Sequence, residues 1–270
     1  MSNGYVHGTH AEEQKRLSEM NVLVNRASLA ALAPAPGETV IDVGSGLGQF
    51  ARDVARVTRA RVLGVELSHE QLDRARALAR EAGEESLAEF RHGDALALPL
   101  AENERGTFDC AHARFVLEHL RDPGAAVTGM AAAVRPGGRV VLEDDDHELL
   151  RLWPEPAHVG TVWRAYMRTY DRLGNDPIVG RRLVQLLAGA GLAPRRIELL
   201  PFGACSGQPS FRPLVTNLSS IFIGARAAIL ATGGATSAEF DGALASLGAF
   251  AERGDAAFWF AISWAEAVKP

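Results

Sequence analysis

Lysine is almost missing from this 270-residue chain: only Lys15 and Lys269 occur. Schiff-base chemistry through a buried core lysine is thereby disfavoured. Cysteine is equally scarce, and Cys110 and Cys205 form neither a CxxC pair nor a zinc-like spacing. Reduced thiols in a cytoplasmic setting are the plainer expectation. The polar start MSNGYVHGTHAEEQKRL lacks the charged-then-apolar layout of a secretion signal. No apolar run is expected to reach the length of a membrane span. Positive charge is also short, because 28 basic residues face 33 acidic ones for a net charge of −5. A surface built to grip a phosphate backbone needs clustered cations, so nucleic acid is not an expected partner. What remains is a small-molecule partner for a monomer or homodimer. The length suits one α/β domain with a modest addition.

Between residues 39 and 142, short β-rich runs alternate with longer helical patterns, the arrangement of βαβ units on a parallel sheet. Strands are expected at 39–43 (TVIDV), 61–66 (RVLGVE), 88–92 (AEFRH), 108–113 (FDCAHA) and 139–143 (RVVLE). Ser68 followed by Gln71 predicts a capping box at the start of a helix over 68–82, and Gly83 closes it. Pro136-Gly137-Gly138 predicts a stop before the fifth strand. Residues 10–32 read as a helix across the open end of the sheet. Helices are expected over 151–173 and 181–190, then strands at 195–200 and 258–268. Between these last strands, 208–231 and 236–252 read as helices separated by Gly233-Gly234, too long for a hairpin connection and apt to form a cap. The division expected is an N-terminal helical cover (1–35), a main domain (36–202 with 257–270) and a helical cap insertion (203–256).

The segment Val40-Ile41-Asp42-Val43-Gly44-Ser45-Gly46-Leu47-Gly48 ends a buried strand in alternating glycines, which let backbone turn sharply and approach a ligand. Glu66 ends the next strand, where an acid can accept hydrogen bonds from both ribose hydroxyls of a nucleoside. A dinucleotide fingerprint would place its third glycine at position 49, which is Gln. NAD is therefore disfavoured. Asp42 suits an ammonium group, or ordering of the loop, better than a pyrophosphate.

Five segments in order resemble the class I methyltransferases that use S-adenosylmethionine (SAM), in particular the small-molecule group similar to the ubiquinone/menaquinone-biosynthesis methyltransferases. They are VIDVGSGLGQF, Val65-Glu66-Leu67-Ser68, His92-Gly93-Asp94-Ala95, Phe108-Asp109 leading to Phe115-Val116-Leu117-Glu118-His119-Leu120, and Val134-Arg135-Pro136-Gly137-Gly138. The resemblance implies a Rossmann-like, doubly wound, mostly parallel seven-stranded sheet with an antiparallel last strand. It implies SAM as cofactor, S-adenosylhomocysteine as product, and methylation of O or N on a small metabolite. A carbon acceptor on a quinone-like ring, or a SAM-fold protein that does not methylate, are the alternatives. Carried over by position, Gly44 and Gly46 face the methionine part of SAM, Glu66 the ribose, Leu67 the adenine face and Asp94 the adenine amine, with a backbone contact from Ala95. Asp42, Ser45, Gly48, Gln71 and Gly93 complete that set. Arg114 stands where the family places a carbonyl toward the SAM ammonium, and Tyr5 and Arg16 resemble an N-terminal helix that covers the cofactor.

Methyl transfer from a sulfonium is an in-line displacement in which positioning and desolvation supply much of the acceleration. A base is needed only if the acceptor loses a proton. Ligands of open α/β sheets bind outside the carboxyl ends of the strands, which points to His147 with Asp145 beside it, and to His112. His119 reads as a packing residue. Asp144-Asp145-Asp146 invites a magnesium reading, but strand four ends in Arg114 where a shared metal would want an acid, so no metal is expected. Trp153, Trp163, Tyr166 and Tyr170 are spaced as aromatic walls over an acceptor or as core.

Overall fold

The computed structural model describes residues 24–270. Tyr5, Arg16 and most of the expected N-terminal cover lie outside the described residues, the first of which form a helix over 24–32, here α1. The elements that follow are β1 (Val40–Val43), α2 (Gln49–Thr58), β2 (Val62–Glu66), α3 (His69–Ala82), β3 (Ala88–His92), β4 (Phe108–Arg114), α4 (Pro123–Ala133) and β5 (Val134–Asp145). Then come β6 (Arg151–Trp153), α5 (Val159–Met167), α6 (Leu183–Gly189), β7 (Ala193–Cys205), α7 (Phe211–Ala231), α8 (Ser237–Ala251) and β8 (Ala257–Val268).

One sheet runs in the order β3-β2-β1-β4-β5-β8-β6, with β7 on the other edge of β8. β1 to β5 are mutually parallel, and β8 is antiparallel to its neighbours. β1 is buried at all four positions, as a central strand covered on both faces must be. Packed on one face are α4 and α6, with Val127, Met130, Leu183 and Leu187 against Ile41, Leu63 and Leu142. On the other face α1, α2 and α3 bury Leu32, Phe50, Val54 and Leu72. This is a doubly wound α/β fold of the Rossmann-like kind.

The sheet has eight strands where the sequence pattern gives seven. After β5 the chain makes a 3-10 turn at His147–Leu149 and returns to the same edge of β8 as β6, pairing Arg151–Trp153 with Trp259–Ala257. The helix expected over 151–173 is thereby shortened to α5 (Val159–Met167), since residues 151–153 take the edge that β5 leaves open. Pro136-Gly137-Gly138 lies within β5, whose register against β4 shifts between Phe108 and Cys110, and does not precede the strand. Of the predicted capping box at α3, one half is present: Ser68 Oγ accepts from the Gln71 N–H at 3.3 Å. Gly83 closes the helix in the left-handed region.

A third core forms where α5, α7 and α8 pack on β6 and the outer halves of β7 and β8, around Tyr166, Phe211, Phe222, Phe240 and Phe250. Here α7 corrects the membrane reading. It is 21 residues long and contains an 18-residue stretch of mean hydropathy 1.6, apolar enough to cross a membrane by length and composition. Asn217, Ser219 and Arg226 punctuate the run and hide it in the sequence. Leu214, Leu218, Phe222, Ala225 and Ile229 on α7 are buried within this core.

Candidate functional site

Where β1 and β4 end side by side, a cavity of about 350 Å³ opens at the carboxyl edge of the sheet. It collects Asp42, Gly44, Ser45, Gly46, Glu66, Leu67, Gln71, Gly93, Asp94, Ala95, His112 and Arg114 from separate segments of the sequence. No residue of 203–256 lines it.

The floor is the turn after β1. Gly44 sits at φ +74°, and a Cβ there would meet Val116 Cγ2 at 2.2 Å, so only glycine passes beneath the loop that follows β4. At the tip of β2, Glu66 Oε2 accepts from the Gly46 N–H at 2.9 Å and Oε1 from the Ser68 N–H at 2.7 Å. Each oxygen keeps a lone pair for a ligand. Leu67 beside it is 46% exposed, an apolar side chain on the cavity wall. Asp94 Oδ1 accepts from the Leu96 N–H at 2.9 Å, leaving Oδ2 unengaged by any hydrogen bond among the described residues.

Gly48 departs from the expectation. It does not line the cavity but starts α2 at φ +69°, and a Cβ there would lie 2.3 Å from the Phe90 ring. Close packing of helix on strand, not cofactor contact, requires the third glycine. Gly48→Ala should therefore cost about 1–3 kcal/mol of stability by overpacking while the folded protein keeps its cofactor affinity. Calorimetry on the folded fraction decides this; lost affinity at unchanged melting temperature would return Gly48 to the cofactor set.

Behind the cavity lies a buried polar network. His112 Nδ1 is 2.7 Å from Asp42 Oδ1 and its Nε2 is 3.3 Å from Glu143 Oε1. Carboxylates only accept, so two of them flanking one ring call for both nitrogens protonated. Burial pulls the imidazole pKa down, but the hydrogen bonds it donates to Asp42 and Glu143 outweigh this, and the net shift is upward. Glu143 also accepts from Ser28 Oγ at 2.5 Å. Burial raises Glu143, and His112 and Arg114 reverse this to hold it below the usual carboxylate range. Arg114 donates to Ser28 Oγ at 3.0 Å and Asn25 Oδ1 at 2.7 Å, with its guanidinium over the Phe50 ring. Its side chain thus ties β4 to α1, and His112 has no nitrogen left to act as a base.

His147 and Asp145 are not brought to the cavity. The loop after β5 folds inward, but it carries His147 against Trp163 and Tyr166, with ring centroids 5.1 and 5.7 Å away. There burial pushes its pKa down to about 3. Tyr166 and Tyr170 are core residues, whereas Trp153 is 66% exposed on the surface, so these aromatics are no wall for an acceptor. Besides His112, the cavity is lined by His119, in the turn after β4, neutral because burial lowers its pKa to about 4. Sequence reasoning set it aside as packing. Phe115 lines the cavity too, and its φ of +56° marks the β4 tip as strained, which no sequence signal announces. Asp144 explains the strain: its Oδ2 accepts from the Val116 and Leu117 N–H groups at 3.1 and 2.8 Å and pins the loop. Burial raises the Asp144 pKa to about 7.

A doubly wound sheet with a glycine turn after β1, an acid at the tip of β2 and a cavity between them is an arrangement that holds a nucleoside at the carboxyl edge of the strands. Residues 41–142 match the family described as a methyltransferase domain. An O-methyltransferase of Pyrenophora dematioidea is 30% identical over 145 residues, 52% of this chain and 53% of that protein. Demethylmenaquinone methyltransferase of Desulfitobacterium hafniense is 29% identical, covering 74% of this chain and 86% of that one. The chain spans about half the length of several other curated relatives it matches. Among solved structures, a geranyl diphosphate C-methyltransferase from Streptomyces coelicolor shares the fold with a TM-score of 0.57 at 17% identity, covering 97% of this chain and 85% of that one. SAM is the cofactor that a methyltransferase domain implies, and solved structures of this fold hold SAM or S-adenosylhomocysteine. The residues present fit it: Ser45 Oγ is buried at the cavity wall with no hydrogen-bond partner among the described residues, Glu66 presents free lone pairs, and Leu67 offers an apolar surface to a flat ring.

Proposed function

We propose that the protein transfers a methyl group from SAM to a hydroxyl oxygen of a small metabolite. The observation that carries this is the Glu66 carboxylate, clamped by the Gly46 and Ser68 N–H groups so that its remaining lone pairs meet the two ribose hydroxyls. Gly44, Ser45 and Gly46 lie along the methionine part, Leu67 covers the adenine face, and Asp94 receives the adenine amine with Gly93, Ala95 and Gln71 around it. When bound, the cofactor supplies an electrophilic methyl and a good leaving group. The protein contributes position and dryness. Asp42 with the His112–Glu143 pair fixes the end of β1, Phe115 and Val116 exclude water beyond the glycine turn, and His119 offers the acceptor hydroxyl a hydrogen-bond partner. A soluble, cytoplasmic protein with a main domain at 36–202 and 257–270 fits this reading. Oxygen is favoured over nitrogen because relatives named as O-methyltransferases recur, including a 27-O-demethylrifamycin SV methyltransferase that is 29% identical over 151 residues.

The test is incubation with SAM carrying a ¹³C-methyl group and a panel of phenols and hydroxylated polyketides. Product mass and the carbon chemical shift of the transferred methyl read out the acceptor atom. The expected product is a methyl ether. A methyl on ring carbon would favour the quinone-type alternative, and SAM binding without S-adenosylhomocysteine release from any acceptor would sink the transferase reading.

A further inference from the structure

The loop after β4 and the end of β5 bring together three side chains that the cofactor site does not use. Glu118, Asp145 and His147 each direct one ligand atom into a group whose atoms lie within 4.8 Å of one another. His147 Nε2 stands 3.7 Å from Glu118 Oε2. Glu118 and His147 are each 4% exposed. Among the described residues, Asp145 Oδ1 is sealed from solvent and accepts no hydrogen bond, and His147 Nδ1 is equally enclosed and unpartnered. Among the described residues no arginine or lysine pairs with Glu118 or Asp145, whereas the adjacent Asp146 is held by Arg181 at 2.7 Å. A buried Glu118 and an enclosed Asp145 oxygen without an arginine or lysine partner are costly unless something supplies positive charge.

We propose that Glu118, Asp145 and His147 bind one divalent first-row transition-metal ion. Metal bonds of about 2.0–2.2 Å to oxygen and nitrogen place ligand atoms up to about 4.2 Å apart, so rotamer adjustments of under an ångström close the group. One imidazole among two carboxylates selects manganese, iron, cobalt or zinc over magnesium and calcium, which prefer oxygen alone. Supports around the site hold the ligands in place. The Tyr170 hydroxyl donates to Glu118 Oε2 at 3.0 Å, the His147 N–H donates to the Pro177 carbonyl at 3.0 Å, and Trp163 Nε1 donates to the His147 carbonyl at 2.8 Å. Three protein ligands leave coordination positions open, and the group abuts the cavity through His119, whose Nε2 is 3.4 Å from Glu118 Oε1.

The probes are Co²⁺, read by its visible absorption, and Mn²⁺, read by electron spin resonance, added to chelator-treated protein without SAM or acceptor. The wild type should bind one equivalent with a nitrogen coupling from a single imidazole. Asp145→Asn and His147→Gln should each weaken binding at least about tenfold, and circular dichroism checks that they fold. His92→Gln, which breaks the surface pair of stacked rings His69 and His92, should leave binding unchanged. No uptake by the wild type, equal affinity in Asp145→Asn, or loss of the signal in His92→Gln would each overturn the site. Where both ligand variants fail to fold, the stoichiometry and nitrogen coupling of the wild type still decide. None of these readings depends on methyl transfer.

Discussion

Glu66→Ala should weaken SAM binding by about 2–4 kcal/mol, because two hydrogen bonds from ribose hydroxyls to a charged acceptor disappear together. That is roughly 30- to 1000-fold in the dissociation constant measured by calorimetry. The same side chain accepts from the Gly46 and Ser68 N–H groups, so removing it also loosens the glycine turn and the start of α3. Glu66→Gln separates the two effects. It keeps an acceptor for one backbone N–H and loses the charge, and it should fall between the wild type and the alanine variant. An unchanged affinity in Glu66→Ala would mean that the nucleoside lies elsewhere.

The second large effect is on stability. Glu143→Ala removes the carboxylate that faces both His112 and Ser28 in a fully buried setting, leaving a protonated imidazole and the nearby Arg114 short of counter-charge. Breaking a buried charged network from one side costs about 3–5 kcal/mol. For a chain of this size that lowers the melting temperature by roughly 6–20 °C. Differential scanning calorimetry reads it directly. A fall of under about 2 °C would show that the network relaxes or takes in water and that its charges are not mutually dependent.

The parts of this molecule that could be read in advance are those written locally. β1 to β4 announce themselves as short buried runs between turn residues, and the α3 boundaries follow from Ser68 and Gly83. The glycine turn and Glu66 lie 18 residues apart, one βαβ step, so their meeting is implied by the order of elements. The polar interior was not readable in this way. Ser28 and Glu143 are 115 residues apart, and Asp42 and His112 are 70 apart. Nothing in either neighbourhood says which partner is chosen until the sheet order is fixed. His147 illustrates the same limit. It follows β5 directly, but the direction of its ring depends on α5, whose start the sequence hides behind β6. His119 was passed over for the opposite reason: its apolar neighbours Leu117 and Leu120 suggested packing, and the 3-10 turn rotates it toward the cavity instead.

The helical pair α7 and α8 leaves the sheet after Cys205 and returns at Ala257, and these two residues face each other across the β7–β8 ladder. Departure and re-entry are therefore separated by a single interstrand step of about 5 Å. A segment attached in this manner can change in length and outer surface without moving any strand, provided that its inner face keeps the core it shares with β6, β7 and β8. The fold thus offers a site where descendants of one ancestor can diverge in size and surface while the nucleoside-binding edge stays fixed.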